Sequence, residues 1–132
     1  LVPTMTAVEN VALPLELAGV ASAFEKAETM LGEVGLGHRL THYPAQMSGG
    51  EQQRTALARA LVANPPVLFA DEPTGNLDQN TGRQIMDLIL RLAEERGTTV
   101  LLITHDRLLA NRCARVETMQ DGQLLSACGQ AS

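Results

Sequence analysis

The chain has 132 residues, of which 45% are hydrophobic, and it contains one tyrosine, two phenylalanines and no tryptophan. Such a chain has room for about one domain with an aliphatic core, and it has too few aromatic side chains for the stacking platforms that bind single-stranded nucleic acid. Fifteen acidic against ten basic residues give a net charge of −5, which excludes a duplex-binding surface, so we expect no nucleic-acid partner.

The two cysteines, Cys113 and Cys128, do not form a metal-binding pattern and indicate reduced thiols. No apolar run reaches the roughly 18 residues that cross a bilayer, and no export leader is present. The sequence therefore predicts a cytosolic protein and leaves a membrane-bound partner open. The first residue is Leu1 rather than a methionine, from which we expect that the chain is part of a longer protein.

Helical patterns fill the first half of the chain. Thr6 and Glu9 have the spacing of a capping box before an apolar run, and Pro14 is expected to kink or end the helix that follows. A second helix is predicted over residues 21–34, with Gly35 as a left-handed terminating residue.

The second half alternates helix and strand. A helix over residues 50–63 is followed by the apolar run 67–70, typical of a strand that is buried on both faces of a parallel sheet. An amphipathic helix over residues 79–95 and a strand over residues 98–103 complete a right-handed βαβ unit. An Asp-Gly turn predicts a hairpin over residues 116–126, and the last residues are expected to be frayed.

A serine and two glycines stand at the start of the third helix. Backbone N–H groups at such a start are unobstructed and lie in the positive field of the helix, so Ser48, Gly49 and Gly50 can bind phosphate. The alternative is that Ser48 is an ordinary N-cap with Glu51 as its capping-box partner and that the glycines are only a loop.

Two acidic residues and a histidine follow the two predicted strands. Asp71 and Glu72 stand at the carboxyl end of the first strand, where open α/β sheets place their ligands, which favours a Mg²⁺ held by Asp71 and a water oriented by Glu72. His105 follows the second strand at the same sheet edge and could sense a terminal phosphate. The alternatives are a solvated loop start and a structural histidine. His38 and His42 are predicted to be solvated.

Four segments resemble, in order and spacing, the motifs of the ATP-binding-cassette ATPases: the signature sequence (residues 47–52), the Walker B segment (67–72), the D-loop (75–78) and the switch histidine segment (103–106). The resemblance extends over residues 1–125. The sequences of residues 73–78 and 6–15 are similar to the corresponding segments of the lipoprotein-releasing and macrolide-export ATPases. The fold implied is an α/β, P-loop NTPase-type core with a helical subdomain.

The resemblance implies that two copies of the cassette close head to tail around ATP. The residues that it assigns to nucleotide binding in this way are Ser48, Gly49, Gly50 and Glu51 of the signature segment, which face the γ-phosphate on the partner copy, and Asp78, which ties the two sites together. Partners of this chain would be a second ATPase domain and an integral membrane permease.

The resemblance also assigns the residues of hydrolysis. Asp71 would hold Mg²⁺ through water, Glu72 would polarise the attacking water, and His105 would contact the γ-phosphate. Arg54 and Arg59 are expected to brace the signature helix. The pattern G-x-x-x-x-G-K-[ST] is absent from the 132 residues, so we expect these residues alone to be catalytically silent.

The predicted organisation is a helical subdomain at residues 1–63 and the C-terminal half of an ATPase core at residues 64–132. The predicted function is the ATP-binding subunit of a lipoprotein-release or macrolide or peptide export transporter, located in the cytoplasm against the inner face of the membrane. Two alternatives stay open: a cassette ATPase without transport, in DNA repair, translation or cell division, and a degenerate cassette that binds but does not hydrolyse ATP. The sequence has no heptad run, which argues against the repair proteins.

Overall fold

The computed structural model describes residues 1–125. Its elements in chain order are α1 (Ala7–Leu17), α2 (Ala23–Glu33), a 3₁₀ turn (Pro44–Gln46), α3 (Gly49–Leu61), β1 (Val67–Asp71), α4 (Gln79–Arg96), β2 (Thr99–Ile103), α5 (Arg107–Ala110), β3 (Met119–Gln120) and β4 (Gln123–Leu124). Three helices precede a β1–α4–β2 unit, as the sequence predicts, whereas the short helix α5 was not predicted. Among residues 1–125 no helix combines the length and the apolar character that a membrane crossing requires.

Helix α1 begins at the predicted capping box. The Glu9 carboxylate accepts from the Thr6 amide at 2.9 Å, and the Thr6 hydroxyl accepts from the Glu9 amide at 3.4 Å. Pro14 was expected to kink or end this helix, and it does not end it, because the helix passes through it to Leu17. Val11 and Leu15 on either side of the proline are buried in the core, and this burial outweighs the hydrogen bond that Pro14 cannot donate.

Two glycines terminate helices in the left-handed conformation. Gly35 has φ +80° just after α2, and Gly97 has φ +65° as the C-cap of α4. Glycine adopts this region without the steric cost that a Cβ atom brings, so both helices end where the sequence predicts.

A single cluster of buried side chains joins α1, α2, α3 and α4. Leu57 and Leu61 of α3 belong to it together with Ile85 and Met86 of α4, and Leu68 of β1 adds to it. The core thus draws on both sides of the boundary between residues 63 and 64. The division into a helical subdomain and an ATPase half stays a prediction.

Strands β1 and β2 pair in parallel, with Val67 opposite Thr99 and Asp71 opposite Ile103. The predicted βαβ unit is therefore confirmed. Within residues 1–125, Leu68 and Ala70 are buried whereas Phe69 is 70% exposed, so the described residues bury β1 on one face rather than on the two that the sequence predicts. Helix α4 packs against β2 on one face of the sheet, where Leu68 of β1 joins the core cluster, and within residues 1–125 the other face is left exposed.

The last described residues form the predicted hairpin. Met119 lies opposite Leu124 and Gln120 opposite Gln123, around a turn in which Asp121 has a positive φ of 51°. The hairpin is shorter than the predicted residues 116–126. The final residues that were expected to be frayed, with Cys128 among them, lie outside the described residues.

The uncovered sheet face predicts poor solubility for the isolated chain. Phe69 and Leu101 are cross-strand partners on this face and are 70% and 50% exposed. We expect the isolated chain to aggregate in size-exclusion chromatography, and we expect the double variant Phe69→Lys and Leu101→Glu, a cross-strand pair of opposite charge, to raise the monomer fraction.

The control for this experiment is Leu17→Lys. Leu17 is 80% exposed at the end of α1, away from the sheet face, so its replacement should leave the aggregation unchanged. A monodisperse, cooperatively melting sample of the unmodified chain would contradict the prediction.

Candidate functional site

The carboxyl ends of β1 and β2 form one edge of the sheet. Asp71 is the last residue of β1 and pairs with Ile103, the last residue of β2. The Glu72 amide then donates to the Ile103 carbonyl at 2.7 Å, which extends the pairing by one residue. This register places Asp71 and Glu72 beside Thr104 and His105, because the strands of a parallel pair end at the same edge.

The Glu72 carboxylate is held by the segment that follows β2. One oxygen, Oε1, accepts from the His105 amide at 2.9 Å and also contacts Nδ1 of the His105 ring. The other oxygen accepts from the Thr104 hydroxyl at 3.3 Å. The His105 side chain is 93% exposed, so the imidazole remains accessible from solvent while it touches Glu72. The structure thus brings together two residues that the sequence assigned to one site.

Thr104 is a residue of the site that was not predicted from the sequence. Its hydroxyl donates to Glu72 and accepts from the Asp106 amide at 3.0 Å, so it joins the acidic residue to the start of α5. The signal in the sequence was a hydroxyl residue between the apolar strand and His105. Its importance depends on the distance to Glu72, which lies 32 positions earlier and which only the parallel pairing brings near.

The start of α3 at residues 48–50, called the mouth of the helix here, has features of both predicted alternatives: an N-cap with a capping box, and backbone amides without acceptors among the described residues. Ser48 is the N-cap: its hydroxyl accepts from the Glu51 amide at 3.2 Å, and the Glu51 carboxylate accepts from the Ser48 amide at 3.0 Å. The capping box is therefore present. Ser48 and Gly49 remain exposed, and within residues 1–125 no acceptor meets the amides of Gly49 and Gly50. These amides are free to receive an anion.

The two glycines have a second reason that the sequence did not show. A Cβ atom on Gly50 would stand 2.8 Å from Cγ2 of Thr81 at the start of α4, and one on Gly49 would stand 3.3 Å from Cδ2 of Leu77. Helix α3 thus approaches α4 and the preceding loop as closely as glycine allows. The glycines serve packing within this chain as well as an open helix mouth.

Glu51 forms an ion pair with Arg39, a residue that was not predicted from the sequence to belong to the site. The Arg39 Nε donates to the Glu51 carboxylate at 3.0 Å. The hydrogen bond from the Ser48 backbone amide lowers the pKa of Glu51, and Arg39 lowers it further. Arg39 also lies 3.3 Å from the ring of His42, whose Nδ1 is buried, so the prediction of a solvated His42 is wrong. His38 is exposed, as predicted.

The shifted pKa of Glu51 gives a pH prediction. A carboxylate whose pKa is lowered by folding stabilises the protein above its unfolded pKa, and the contribution is lost as the pH falls through the folded value. We expect Glu51→Gln, which keeps the capping acceptor and removes the charge, to flatten the loss of stability between about pH 5 and pH 3. Urea unfolding across this range checks it. Parallel curves for both proteins would show that Glu51 contributes nothing to the acid sensitivity.

Asp78 occupies the N-cap of α4, where its carboxylate accepts from the Thr81 amide at 3.4 Å. Hydrogen bonds from the Thr81 hydroxyl and amide lower its pKa. Asp78 remains exposed, so the cap does not bury its side chain. The predicted bracing by Arg54 has a partner in α4, since its Nη2 lies 3.4 Å from the Gln84 side-chain oxygen.

Metal binding at this edge would depend on Asp71. Residues 1–125 contain no group of three or more histidine, cysteine, aspartate or glutamate side chains that could hold a metal ion. Mg²⁺ commonly keeps several waters and takes one or two carboxylates together with substrate phosphates. The exposed carboxylate of Asp71, next to Glu72 at the end of β1, fits a Mg²⁺ that arrives with a nucleotide.

The sequence model of the family described as ABC transporter matches residues 1–75, which is more than half of the chain. The chain belongs to the ABC transporter family. This confirms the resemblance that the four sequence motifs carry. In the part of the structure described, the signature segment begins α3, the Walker B segment forms β1 and Glu72, and the D-loop leads into α4.

Individual ABC proteins are similar over nearly the whole chain. The ATP-binding protein YbbA of Escherichia coli K12 is 56% identical over 126 residues, which are 94% of this chain and 55% of YbbA. The lipoprotein-releasing system ATP-binding protein LolD of Syntrophus aciditrophicus is 48% identical over 128 residues, which are 96% of this chain and 57% of LolD. The chain thus spans little more than half the length of these relatives.

A solved structure confirms the fold class. The ATP-binding cassette MJ0796, in a dimeric post-hydrolysis state bound to ADP and Pi, superposes with a TM-score of 0.79 at 41% identity, covering 94% of this chain and 56% of the MJ0796 chain. The α/β architecture described above is therefore that of part of an ABC cassette.

Proposed function

We propose that this chain is the signature- and Walker B-bearing part of an ATPase subunit that drives a membrane transporter. The observation that carries the proposal is the grouping of Asp71, Glu72 and His105 at one sheet edge, with the Glu72 carboxylate held between Thr104 and His105. Charged groups fixed in this way at the end of a parallel sheet are suited to phosphoryl chemistry.

The proposed roles follow from the position of each group. ATP with Mg²⁺, when bound, supplies the phosphoryl group that is transferred to water and part of the charge neutralisation. Asp71 would be the residue that holds the metal, and Glu72 would accept a proton from the attacking water. His105, exposed beside Glu72, contacts the γ-phosphate and keeps the Glu72 carboxylate oriented.

The exposed mouth of α3 supports the proposal of a head-to-tail dimer. The amides of Gly49 and Gly50 face outward without acceptors in the described chain, so they can meet the γ-phosphate of a nucleotide held by a second copy. Ser48 and Glu51 keep the helix start in place through the capping box. Asp78 is exposed at the N-cap of α4, and we propose that it contributes to the same interface. The dimeric state of MJ0796 supports this arrangement.

The similarity to LolD favours lipoprotein release as the transport process, with macrolide or peptide export as the related alternative within the subgroup. The partner would be a separate permease in the membrane, with this protein bound to its cytoplasmic side. The complete protein would contain a phosphate loop outside these 132 residues, and we propose that these residues hydrolyse ATP only in its presence.

The test is a co-purification from membranes. The complete protein that carries these residues is expressed with an affinity tag, purified with detergent, and assayed for ATP hydrolysis with its bound partner. A four-span permease with a large external domain, together with ATP hydrolysis, supports the proposal. Ribosomes or DNA as the bound partner, or a complete protein that binds ATP without hydrolysing it, would overturn it.

A further inference from the structure

Helix α3 is tied to the loop that carries Glu72 by one side chain. The Gln53 amide nitrogen Nε2 donates to the carbonyl of Pro73 at 2.7 Å. Pro73 is buried and follows Glu72 directly in the chain. A buried carbonyl group without a hydrogen-bond partner lowers the stability of the fold. The hydrogen bond from Gln53 therefore stabilises the loop that contains Pro73.

Glu72 has a backbone conformation that needs such support. Its φ of +46° lies in the left-handed region, which costs a residue with a Cβ atom roughly 1 kcal/mol or more. The backbone on its amino side is fixed by the bond from its own amide to the Ile103 carbonyl. On its carboxyl side, Gln53 is the one side chain in residues 1–125 that reaches from outside the 72–78 loop to its backbone.

The surrounding contacts leave α3 and this loop little freedom to move separately. Gly50 approaches Thr81 at a distance that only glycine allows, and Gly49 lies tightly against Leu77. Gly82 of α4 lies against Thr74, where an added Cβ would stand 3.2 Å from the threonine Cβ. Close-packed surfaces transmit displacement. A shift of α3 therefore carries Pro73 with it, and the conformation of Glu72 changes.

We propose that Gln53 is a positioning residue for ATP hydrolysis: through the Pro73 carbonyl it fixes the backbone of Glu72 and links the signature helix to the glutamate of the same chain. The proposal rests on the function proposed above. It assigns to Gln53 no contact with nucleotide. Gln53 acts by fixing the position of the Glu72 carboxylate. That position determines how well the carboxylate can accept a proton from the attacking water.

The test compares two substitutions of similar length in the complete protein. Gln53→Met removes the donor, and Gln53→Lys keeps one. We expect Gln53→Met to lower kcat about tenfold with KM for ATP changed less than about twofold, and Gln53→Lys to restore most of the loss. Equal kcat for Gln53→Met and the unmodified protein, or equal losses for Met and Lys, would overturn the proposal.

A matched control separates positioning from stability. Thr98→Val removes another side-chain hydrogen bond to a proline carbonyl, from Thr98 Oγ1 to Pro65 at 3.0 Å, at the opposite end of β1 from Glu72. It should destabilise the protein by a similar amount in urea unfolding while kcat stays unchanged. If Thr98→Val lowers kcat as much as Gln53→Met, the effect is general destabilisation and the proposal is wrong.

A second measurement follows the action through Glu72. In a Glu72→Gln background, adding Gln53→Met should change the remaining single-turnover rate less than about twofold, because no carboxylate is left to position. A further tenfold loss in that background would overturn the proposal while leaving the proposed function intact. A complete protein in which Glu72→Gln itself has no effect on hydrolysis would overturn the proposed function and this inference together.

Discussion

Glu72→Gln in the complete protein is expected to retain ATP binding and to lower turnover about a thousandfold, or ~4 kcal/mol of transition-state stabilisation. The amide oxygen can still accept from the His105 amide, and the amide NH₂ can donate to the Thr104 hydroxyl oxygen, so most of the local geometry is kept. It cannot accept a proton from water. The proposed function implies that the cassette dimer closes before ATP is hydrolysed, so we expect the variant to accumulate as an ATP-bound dimer, measured by size-exclusion chromatography with and without ATP.

The matched control is Glu95→Gln. Glu95 is an exposed carboxylate of α4 whose only partner among the described residues is Arg91 at 3.6 Å, one turn earlier in the helix. Its replacement should leave turnover and dimerisation unchanged. Normal phosphate release by the Glu72→Gln variant would show that Glu72 does not have its proposed role.

Gly50→Ala is expected to lower turnover of the complete protein about a hundredfold, which is the scale of losing one preorganised donor to a developing charge. The added methyl group would stand 2.8 Å from Thr81 Cγ2. A Cβ atom at a helix start also limits how closely a phosphate can approach the backbone amides. Alanine is the better helix former, so its propensity opposes the loss. Overpacking should prevail, and we expect a net destabilisation of about 1–2 kcal/mol in urea unfolding.

A second substitution separates the two roles of Gly50. Thr81→Ser removes the Cγ2 methyl that the alanine would meet, so the double variant should recover its stability. Turnover should remain low, because the proposed role of Gly50 is to let the helix backbone approach a phosphate more closely than a residue with a Cβ atom can. Full recovery of turnover would show that Gly50 is required only for packing against α4.

Gly32→Ala is the control for this pair of variants. Gly32 lies in α2, and a Cβ atom there would meet nothing within 4 Å. Its replacement should be neutral or stabilising by up to ~1 kcal/mol, with turnover unchanged. The contrast between two helical glycines isolates the effect of the close approach to Thr81.

The pattern of apolar residues predicted most elements because each depends on local spacing. The capping box before α1, the left-handed glycine after α4 and the parallel strands β1 and β2 all lie where the sequence places them. The helix α5 was missed because it is a single short turn, Arg107–Ala110, without an apolar stripe. The sequence left open whether Pro14 kinks or ends α1, because the effect of a proline depends on the core around the helix, which local sequence does not report.

The candidate site divides in the same way. Ser48, Asp71, Glu72 and His105 could be selected because their positions relative to a helix start or a strand end are visible in the sequence. Their proposed roles in hydrolysis and nucleotide binding remain to be tested. Residues that act by contact across the fold gave no such signal: Thr104 and Gln53 reach residues 32 and 20 positions away in the chain.

The sequence by itself determined the family and the α/β order of helices and strands, because capping, periodicity and short motifs are properties of neighbouring residues. Only the tertiary structure decided that Phe69 is exposed, that Gly50 abuts Thr81 and that Gln53 holds the carbonyl next to Glu72. Each of these depends on which distant surfaces the fold brings together and at what distance. Short-range chemistry can be read along the chain, but packing between remote segments is fixed only when the chain has folded.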